Sequence, residues 1–539
     1  MNATAPTPPP PRAQRLDALA SRHFDAIVVG GGITGAGVAL DLVCRGLSVA
    51  LVERGDWGQE TSSASSRLLH GGLRYLEQYE FGLVRESCLE RALLLRNAAG
   101  LAWPERFTFP LFEDGRVGRL KLAAGLGLYT LLSLPHPLGV PKLVGADAAR
   151  RAVPGVRDGL VGAGQYLDGA TDDARLVWAV VRTAIERGAV CASRVNAVRI
   201  EHAGDRDEGV EVHLADTLDE GRDLGVLRAD HAVLCGGPFT EGLRERANLT
   251  GRWLSPTRGT HVVLPRAKLP TDGAVVFASP VDGRVMFVLP WPGHTIVGTT
   301  DVDAPVEPRG DDGRGEASDA EVAYLVDSAN GLVPSANLTR ADVVSAWSGL
   351  RPLLAAPDAD PSARSREERV LREGSITTIA GGKLTGFRSM AEKLGGVLAR
   401  HLAQRATQRR TIVARGTSPT RAVRLWGALD APRSDRPDWS RAEPDAAGLR
   451  RAAEELRYGR FAAAARDAEA QGPHAGRAPL DPATHWADVA WAARYEDALE
   501  AADLLVRRTD LGYTRPDLAE HCAEEIDALL REHRDASSR

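Results

Sequence analysis

The glycine spacing near the start of the chain is typical of a site for the pyrophosphate of a dinucleotide. Gly30, Gly32 and Gly35 form the pattern G-x-G-x-x-G directly after the β-branched run 25–29. In this pattern the first glycine permits a sharp turn, the second lets the backbone approach phosphate, and the third lets a helix lie against the sheet. The helix N-terminus offers N–H donors and a positive dipole end. Glu53, after the apolar run 47–52, is placed to accept hydrogen bonds from both hydroxyls of an adenosine ribose.

A second stretch, residues 61–75, combines many hydroxyl groups and glycines with ionisable side chains. Arg67, His70 and Arg74 lie in it, and it has neither helical nor strand periodicity. This composition suits a loop that passes a polar ligand. A surface loop rich in serine is the alternative.

Two later strand candidates also end in glycines. Residues 229–235 run into Gly236 and Gly237, and residues 377–383 contain the glycine pair before Lys383. A glycine pair at a strand end followed by a helix offers backbone donors to an anion. Between them, residues 253–301 contain several short strand patterns separated by turns, which predicts an antiparallel sheet.

Length and composition narrow the class of protein. The chain has 539 residues and therefore predicts two or three domains. A net charge of −5 without a basic run disfavours a nucleic-acid partner. The five cysteines show no C-x-x-C pair, so we expect neither a disulfide framework nor a metal site, and a reducing cytoplasm fits. Residues 1–22 are proline-rich at 8–11 and predict a disordered tail.

The remaining segments predict a membrane-facing or buried helix and a helical end. No apolar run reaches the ~18 residues of a membrane span. Residues 116–134 join a basic start to a leucine-rich body, which is typical either of a helix in a membrane interface or of a buried helix. Beyond residue 405, helical patterns at 446–470, 486–508 and 518–532 predict a separate α-helical domain.

Taken together, these motifs resemble the FAD-dependent glycerol-3-phosphate dehydrogenases, within the fold of D-amino-acid oxidase-like flavoproteins. The matching segments follow one another in the expected order, and they are 29–41, 62–67, 70–77, 298–301, 348–353 and 381–385. They span residues 24–395, whereas the helical end matches mainly at 507–509.

The resemblance implies an α/β fold with a Rossmann-like FAD-binding domain, an antiparallel β-rich substrate domain and a C-terminal helical domain. The oxidoreductase domain is expected over residues 23–395 and the helical domain over 405–539. Within the first, the FAD-binding parts are expected at about 23–120, 165–250 and 345–395, and the substrate sheet at about 251–345.

The implied reaction oxidises sn-glycerol 3-phosphate to dihydroxyacetone phosphate, with hydride transfer to FAD. A phosphate dianion calls for cations, and the resemblance places the following residues around the substrate: Arg74, Tyr75, His261, Arg351, Arg366 and Lys383. Arg369 is the rival of Arg366. The proton acceptor must titrate near neutrality, which favours histidine. His261 is the first choice and His70 the second, and Arg351 or Lys383 would stabilise the developing oxyanion.

For FAD, the resemblance and the glycine pattern together imply one set of binding residues. The set is Gly30, Gly32, Gly35, Glu53, Thr61, Ser62, Ser65, Ser66, Arg67, Leu69, Gly237, Lys383, Leu384 and Thr385. Family members that reduce a quinone attach to the inner membrane surface, whereas oxidase members use oxygen. The segment 120–134 favours quinone as the electron acceptor. The expected location is cytoplasmic and peripheral on the inner face of the cell membrane, and the expected assembly is a homodimer.

Two other functions remain open from the sequence, and a third possibility is that the C-terminal helices make this chain mainly an assembly module. A flavin oxidase of another small acid or amine needs one carboxylate-binding arginine and fewer cations than the group Arg74, Arg351 and Lys383 supplies. A non-catalytic nucleotide-binding or RNA-modification partner protein would need a basic surface, which the net charge disfavours.

Overall fold

The computed structural model describes residues 5–204, 208–306, 315–355, 368–403, 417–433, 435–440, 445–471, 474 and 476–537. Its α-helices, in chain order, are α1 (Arg12–Ser21), α2 (Ile33–Cys44), α3 (Phe81–Asn97), α4 (Arg119–Leu132), α5 (Ala146–Ala152), α6 (Asp173–Glu186), α7 (Thr240–Glu245), α8 (Asp319–Leu332), α9 (Phe387–Ala403), α10 (Ala446–Tyr458), α11 (Ala462–Gln471), α12 (Trp486–Tyr495), α13 (Leu511–Thr514) and α14 (Pro516–Ser537).

The strands belong to three sheets. In chain order they are β1 (His23–Phe24), β2 (Ala26–Val29), β3 (Val49–Val52), β4 (Leu68–Leu69), β5 (Ala102–Phe112), β6 (Lys142–Gly145), β7 (Leu160–Thr171), β8 (Val190–Ala192), β9 (Val195–His202), β10 (Val210–Asp216), β11 (Arg222–Ala229), β12 (Ala232–Leu234), β13 (Thr257–Pro265), β14 (Ala274–Ala278), β15 (Val285–Trp291), β16 (His294–Gly298), β17 (Val302–Asp303), β18 (Ser345–Arg351), β19 (Glu368–Glu373) and β20 (Ile376–Gly381).

The sheet that carries the glycine motif has the order β19-β20-β12-β2-β3-β8 and is parallel except for β19. Every residue of β2 and β3 is buried, as expected for a parallel sheet covered on both faces. One face packs against α2, α6 and α9, and the other against the smaller sheet β1-β11-β10-β9. The predicted strand, turn, helix and strand are therefore present, with β2 at the centre.

The mixed sheet has the order β17-β13-β16-β15-β14-β5-β7-β4, with β18 beside β13 and β6 beside β7. The predicted bounds of the substrate sheet, 251–345, are too narrow, because β4, β5 and β7 come from earlier in the chain. β5 and β7 pair antiparallel along almost their whole length, and β5 joins the later strands through β14. One continuous sheet thus links the loop after β4 to β13 and β18.

The helical end is present, but two of its predicted helices are interrupted. Gly459 separates α10 from α11 with φ 50, and a Cβ there would lie 2.1 Å from the carbonyl oxygen of Gly427. The predicted helix 486–508 ends at Tyr495 and resumes as the π-helix Asp503–Arg508. Local periodicity did not reveal either break.

The prediction of a disordered tail over residues 1–22 is wrong for α1. Leu19 is buried in the core, and Arg15 is paired with Asp497 in the C-terminal domain. Arg12 forms a second ion pair with Asp216, 2.9 Å long. These partners lie far away in the sequence, so the helix depends on tertiary contacts.

Helix α4 lies at the surface with one face inward. Leu122, Leu126 and Tyr129 are buried, whereas Leu120 is 88% exposed and Leu131 is 59% exposed. The alternative of a buried helix therefore applies to one face of α4 only. In the described part of the chain no helix combines the length and apolarity that crossing a membrane requires.

Candidate active site

The glycines of the first motif are required by the backbone. Gly30 has φ 108, and a Cβ on it would lie 2.3 Å from the carbonyl oxygen of Cys235 in the neighbouring segment. A Cβ on Gly35 would lie 1.8 Å from the carbonyl oxygen of Gly30, so helix and turn touch. At Gly32, where α2 begins, the nearest atom to an added Cβ is Ser62 Oγ at 3.2 Å. Gly30 and Gly35 thus shape the turn, and Gly32 keeps the helix N-terminus open.

A small cavity of ≈ 190 Å³ lies beside this turn. Gly30, Gly32, Glu53 and Gly237 are among its lining residues. The carboxylate of Glu53 accepts hydrogen bonds from the N–H of Gly31 (2.6 Å) and of Gly55 (2.8 Å). These bonds fix the side chain at the end of β3, where it borders the cavity as predicted for the ribose end of a dinucleotide.

A second cavity of ≈ 1030 Å³ begins where the first one ends. Gly32, Thr61, Ser62 and Gly237 line both. The N-terminus of α2 therefore lies between a small compartment beside Glu53 and a large one, which is the arrangement that a dinucleotide with a bulky second ring requires. The residues present fit FAD.

Most of the predicted site residues line the large cavity. In addition to the shared ones they are Ser65, Ser66, His70, Arg74, Tyr75, His261, Arg351, Lys383, Leu384 and Thr385. They come from the loop 61–75, from β13 and β18, and from the turn after β20. Arg366 lies outside the described residues. Its rival Arg369, on β19, has its guanidinium 4.2 Å from the ring centroid of Trp253 and is not among the residues that line the cavity.

Arg67 and Leu69 are not among the residues that line the cavity, and their predicted role in FAD binding stays a prediction. Arg67 has φ 57, and its buried guanidinium pairs with Asp510 at 2.6 Å and lies 4.0 Å from the ring centroid of Trp291. Leu69 is fully buried in the core beside α2. Both side chains support the loop from behind.

Arg351 is held at the cavity wall by two contacts. Its guanidinium donates to Asp301 Oδ1 at 2.7 Å and to Thr299 Oγ1 at 2.9 Å. It covers Gly259, where a Cβ would lie 2.4 Å from its Nη2 atom. Because Gly259 and His261 are two residues apart on β13, Arg351 lies on the face of the sheet that carries His261.

The other cations gather around Tyr75. The ammonium group of Lys383 lies 3.6 Å from the centroid of the Tyr75 ring, and the guanidinium of Arg74 lies 5.5 Å from it. The His70 ring stacks on the same tyrosine with centroids 6.5 Å apart. Tyr75 thus brings together residues from two segments that the sequence separates by about three hundred positions.

His261 is buried between polar and aromatic neighbours. Its Nε2 hydrogen-bonds to Ser66 Oγ at 2.8 Å, and its ring stacks on Trp347 with centroids 5.1 Å apart. Burial, together with the positive charges of Arg351 and Arg67, lowers the pKa of His261 to about 3. The imidazole of His261 is therefore neutral at physiological pH.

Sequence reasoning missed the residues that support the site. Thr299 and Asp301 lie in a matched motif, 298–301, but nothing in the motif assigned them to Arg351. Trp347 directly precedes another matched segment and stacks on His261. The sequence signal for these three residues was their position in or beside a matched motif. Their roles could not be read from it, because they depend on which strands pair.

A buried polar cluster supports the loop that carries Arg74 and Tyr75. Tyr129 on α4 donates a hydrogen bond to Asp168 Oδ2 at 2.6 Å, and Arg91 donates to Asp168 Oδ1 at 2.7 Å. The N–H of Gly71 donates to Tyr129 Oη at 2.9 Å. The turn after His70 is thereby fixed by α3, α4 and β7.

Comparison with known proteins identifies the family. The model of "FAD dependent oxidoreductase" matches residues 25–388, and that of the "C-terminal domain of alpha-glycerophosphate oxidase" matches residues 418–538. The aerobic glycerol-3-phosphate dehydrogenase of Staphylococcus aureus (strain MRSA252) is 35% identical over 394 residues, which are 71% of this chain and 68% of that relative.

Solved structures agree on the architecture. The glycerol-3-phosphate dehydrogenase from Bacillus halodurans, complexed with FAD, has a TM-score of 0.74 at 26% identity and covers 98% of this chain and 93% of its own. The L-alpha-glycerophosphate oxidase from Mycoplasma pneumoniae with FAD bound has a TM-score of 0.56 at 18% identity, covers 74% of this chain and 97% of its own, and supports the fold alone.

The predicted fold class is therefore confirmed: an FAD-binding α/β fold with a sheet-rich domain and a C-terminal helical domain. The prediction of FAD as cofactor is confirmed by the family match and agrees with the two joined cavities. The chain belongs to the FAD-dependent glycerol-3-phosphate dehydrogenase family.

Proposed function

We propose that this protein oxidises sn-glycerol 3-phosphate to dihydroxyacetone phosphate and passes the electrons to a quinone. The observation that carries the proposal is the set of cations, Arg74, Arg351 and Lys383, on the wall of the cavity that also contains His261. A small phosphate dianion needs several cations, whereas an amino acid needs one guanidinium for its carboxylate. The names of the relatives point to the same substrate.

In this proposal the cations bind and orient the substrate. Arg351 is already fixed by Asp301 and Thr299, so little side-chain entropy is lost when it meets the phosphate ester. Lys383 and Arg74 approach from the Tyr75 side of the same cavity. The proposed substrate-binding set is completed by Tyr75, His261 and Arg366.

His261 is the proposed proton acceptor for the C2 hydroxyl. A neutral imidazole can accept a proton, and its Nε2 already bonds to the hydroxyl group of Ser66, which lines the cavity. The two negative charges of a bound phosphate would counter the effect of Arg351 and make His261 more basic. Arg351 and Lys383 would stabilise the developing oxyanion. His70, beside Tyr75, is the second candidate for the acceptor.

The chemistry that FAD supplies when bound is acceptance of the hydride from C2. The chain would hold it with the residues that line the two cavities, from Glu53 through the N-terminus of α2 to Lys383, Leu384 and Thr385.

A quinone acceptor at the inner membrane surface is supported by α4. Its exposed Leu120 and Leu131 accompany the basic side chains Arg119 and Lys121. Exposed apolar and basic groups together favour an anionic lipid surface. Lys121 and other α4 residues line the large cavity, so this surface borders the site.

Product analysis tests the proposal. The holoprotein is incubated with sn-glycerol 3-phosphate and a soluble quinone analogue, and dihydroxyacetone phosphate, quinol and oxygen uptake are measured. We expect equal amounts of ketone product and quinol. Oxygen uptake equal to product would instead identify an oxidase, and oxidation of a small amine or acid with no reaction of the phosphate ester would contradict the substrate.

A further inference from the structure

A chain of aromatic rings leads from His261 into the C-terminal helical domain. His261 stacks on Trp347, and Tyr513 of α13 packs on Trp347 in turn, with ring centroids 4.8 Å apart. Both aromatic residues are buried. Ser345 Oγ donates a hydrogen bond to the carbonyl oxygen of Tyr513 at 2.6 Å, which ties α13 to the strand that carries Trp347. The rings behind His261 are therefore supported from the helical domain.

An ion pair forms a second link between the same two regions. Arg67 follows Ser66, the hydrogen-bond partner of His261, and its guanidinium is anchored by Asp510, the residue before α13. That guanidinium also lies 5.8 Å from the ring centroid of Trp347 and 5.6 Å from that of Tyr513. The turn formed by Asp510 and α13 thus holds both the Trp347 ring and the Arg67 guanidinium behind His261.

The anchoring of Arg67 by Asp510 affects the charge around His261. Arg351 on β18 faces it and is balanced by Asp301, and Arg67 is balanced by Asp510, with Asp173 at 4.0 Å. Arg67 is one of the two cations that lower the pKa of His261. Its place, and hence its effect on the imidazole, depends on Asp510.

We propose that the C-terminal helical domain is part of the active-site architecture, because Asp510 and Tyr513 are positioning residues that hold His261 through Arg67 and Trp347. This inference rests on the proposed function of His261 as proton acceptor. Neither residue lines the cavity, so their replacement should impair proton transfer rather than substrate binding.

Rapid anaerobic flavin reduction in the full-length holoprotein tests the inference. Asp510→Asn removes the charge but keeps a residue that tolerates the local φ of 60, and Tyr513→Leu removes the ring. We expect the limiting rate of reduction by sn-glycerol 3-phosphate to fall about 10- to 100-fold in each, because small misplacements of catalytic groups are costly. The substrate concentration for half-maximal rate and the FAD content should stay within about threefold.

Glu454→Gln is the matched control. Glu454 is a buried carboxylate of the same domain, paired with Arg450 at 3.2 Å and with Arg466 at 2.6 Å, and these ion pairs involve no residue of either link in the described part of the chain. It should destabilise the domain while leaving the limiting rate near that of the wild type. Wild-type rates in both test variants, or an equal loss in the control, would overturn the inference.

A second measurement needs no substrate. Deuterium exchange at the C2 position of the His261 ring, followed by mass spectrometry, reports the environment of the imidazole. We expect faster exchange in Tyr513→Leu than in the wild type and no change in Glu454→Gln. Equal exchange in all three would overturn the inference. If sn-glycerol 3-phosphate does not reduce the wild-type flavin, the proposed function fails, and the exchange result alone decides this inference.

Discussion

Replacement of Arg351 by alanine probes the substrate site most sharply. The Arg351 side chain is 19% exposed and its guanidinium is fixed by Asp301 and Thr299, so it offers a preorganised cation to the ligand. Removing one partner from a hydrogen-bonded charge pair that is largely shielded from water costs about 2–5 kcal/mol. Because Arg351 keeps some exposure, we take about 3 kcal/mol, which corresponds to a rise in KM of about 100-fold.

The assay is steady-state oxidation of sn-glycerol 3-phosphate at fixed acceptor concentration, with FAD content measured from visible absorption. Arg258→Ala is the matched control. Arg258 is paired with Glu321 at 2.7 Å, and on β13 it lies opposite Leu350, so it points to the other face of the sheet from Arg351. We expect a KM within about twofold of the wild type for this control, because Arg258 points to the other face of the sheet and is not among the residues that line the cavity.

Two results would refute the reasoning about Arg351. An unchanged KM in a fully loaded Arg351→Ala variant would show that this arginine does not bind the substrate. Loss of FAD, with a normal KM in the molecules that retain it, would assign the side chain to the cofactor instead.

Three further predictions concern cofactor binding and stability. Gly32→Val should abolish FAD binding yet keep the thermal unfolding midpoint of the apoprotein, since an added Cβ meets only Ser62 Oγ; a yellow, active variant would contradict the pyrophosphate site. Asp56→Asn should lower the free energy of unfolding by about 3–5 kcal/mol, because the fully buried carboxylate pairs with Arg507 and Arg508; a urea midpoint equal to that of the wild type would contradict this role. Burial raises the pKa of Glu105 from 4.5 to about 7, so the folded state binds a proton at this carboxylate more tightly than the unfolded state does. The stability that results is present below pH 4.5 and is lost as the pH rises to 7. Glu105→Gln should remove a pH dependence on the order of 3 kcal/mol from the free energy of unfolding, and an unchanged slope in urea titrations between pH 5 and 7.5 would contradict it.

The dinucleotide-binding unit could be predicted because its requirements are local. Gly30 and Gly35 are needed within a few residues of the turn, where any Cβ would meet backbone atoms. The strands β2 and β3 are short apolar runs that are buried on both faces. Each of these properties depends only on residues that are close together in the sequence, so their spacing was enough to predict the unit.

Features that depend on distant partners were not predictable in the same way. Helix α1 is stabilised by the contact of Arg15 with Asp497, 482 positions away. The break at Gly459 is imposed by Gly427, a residue of another segment. No local pattern contains this information.

The motifs predicted which segments meet but not where each side chain points. Arg67 lies within a matched motif, yet its backbone turns the guanidinium towards Trp291 and Asp510 rather than into the cavity. The low pKa of His261 likewise arises from burial and from arginines on two other segments. Such properties follow from the assembled sheet and not from the spacing of residues.

Anaerobic reduction of the bound flavin is the most direct test of the proposed activity. The visible absorption of the purified holoprotein is followed as sn-glycerol 3-phosphate is added, with glycerol and a D-amino acid as controls. We predict that the phosphate ester alone bleaches the flavin band, because only this ligand satisfies the cations Arg74, Arg351 and Lys383. Fully loaded protein that keeps its absorption with the phosphate ester, or that is bleached by the amino acid instead, would contradict the proposed substrate.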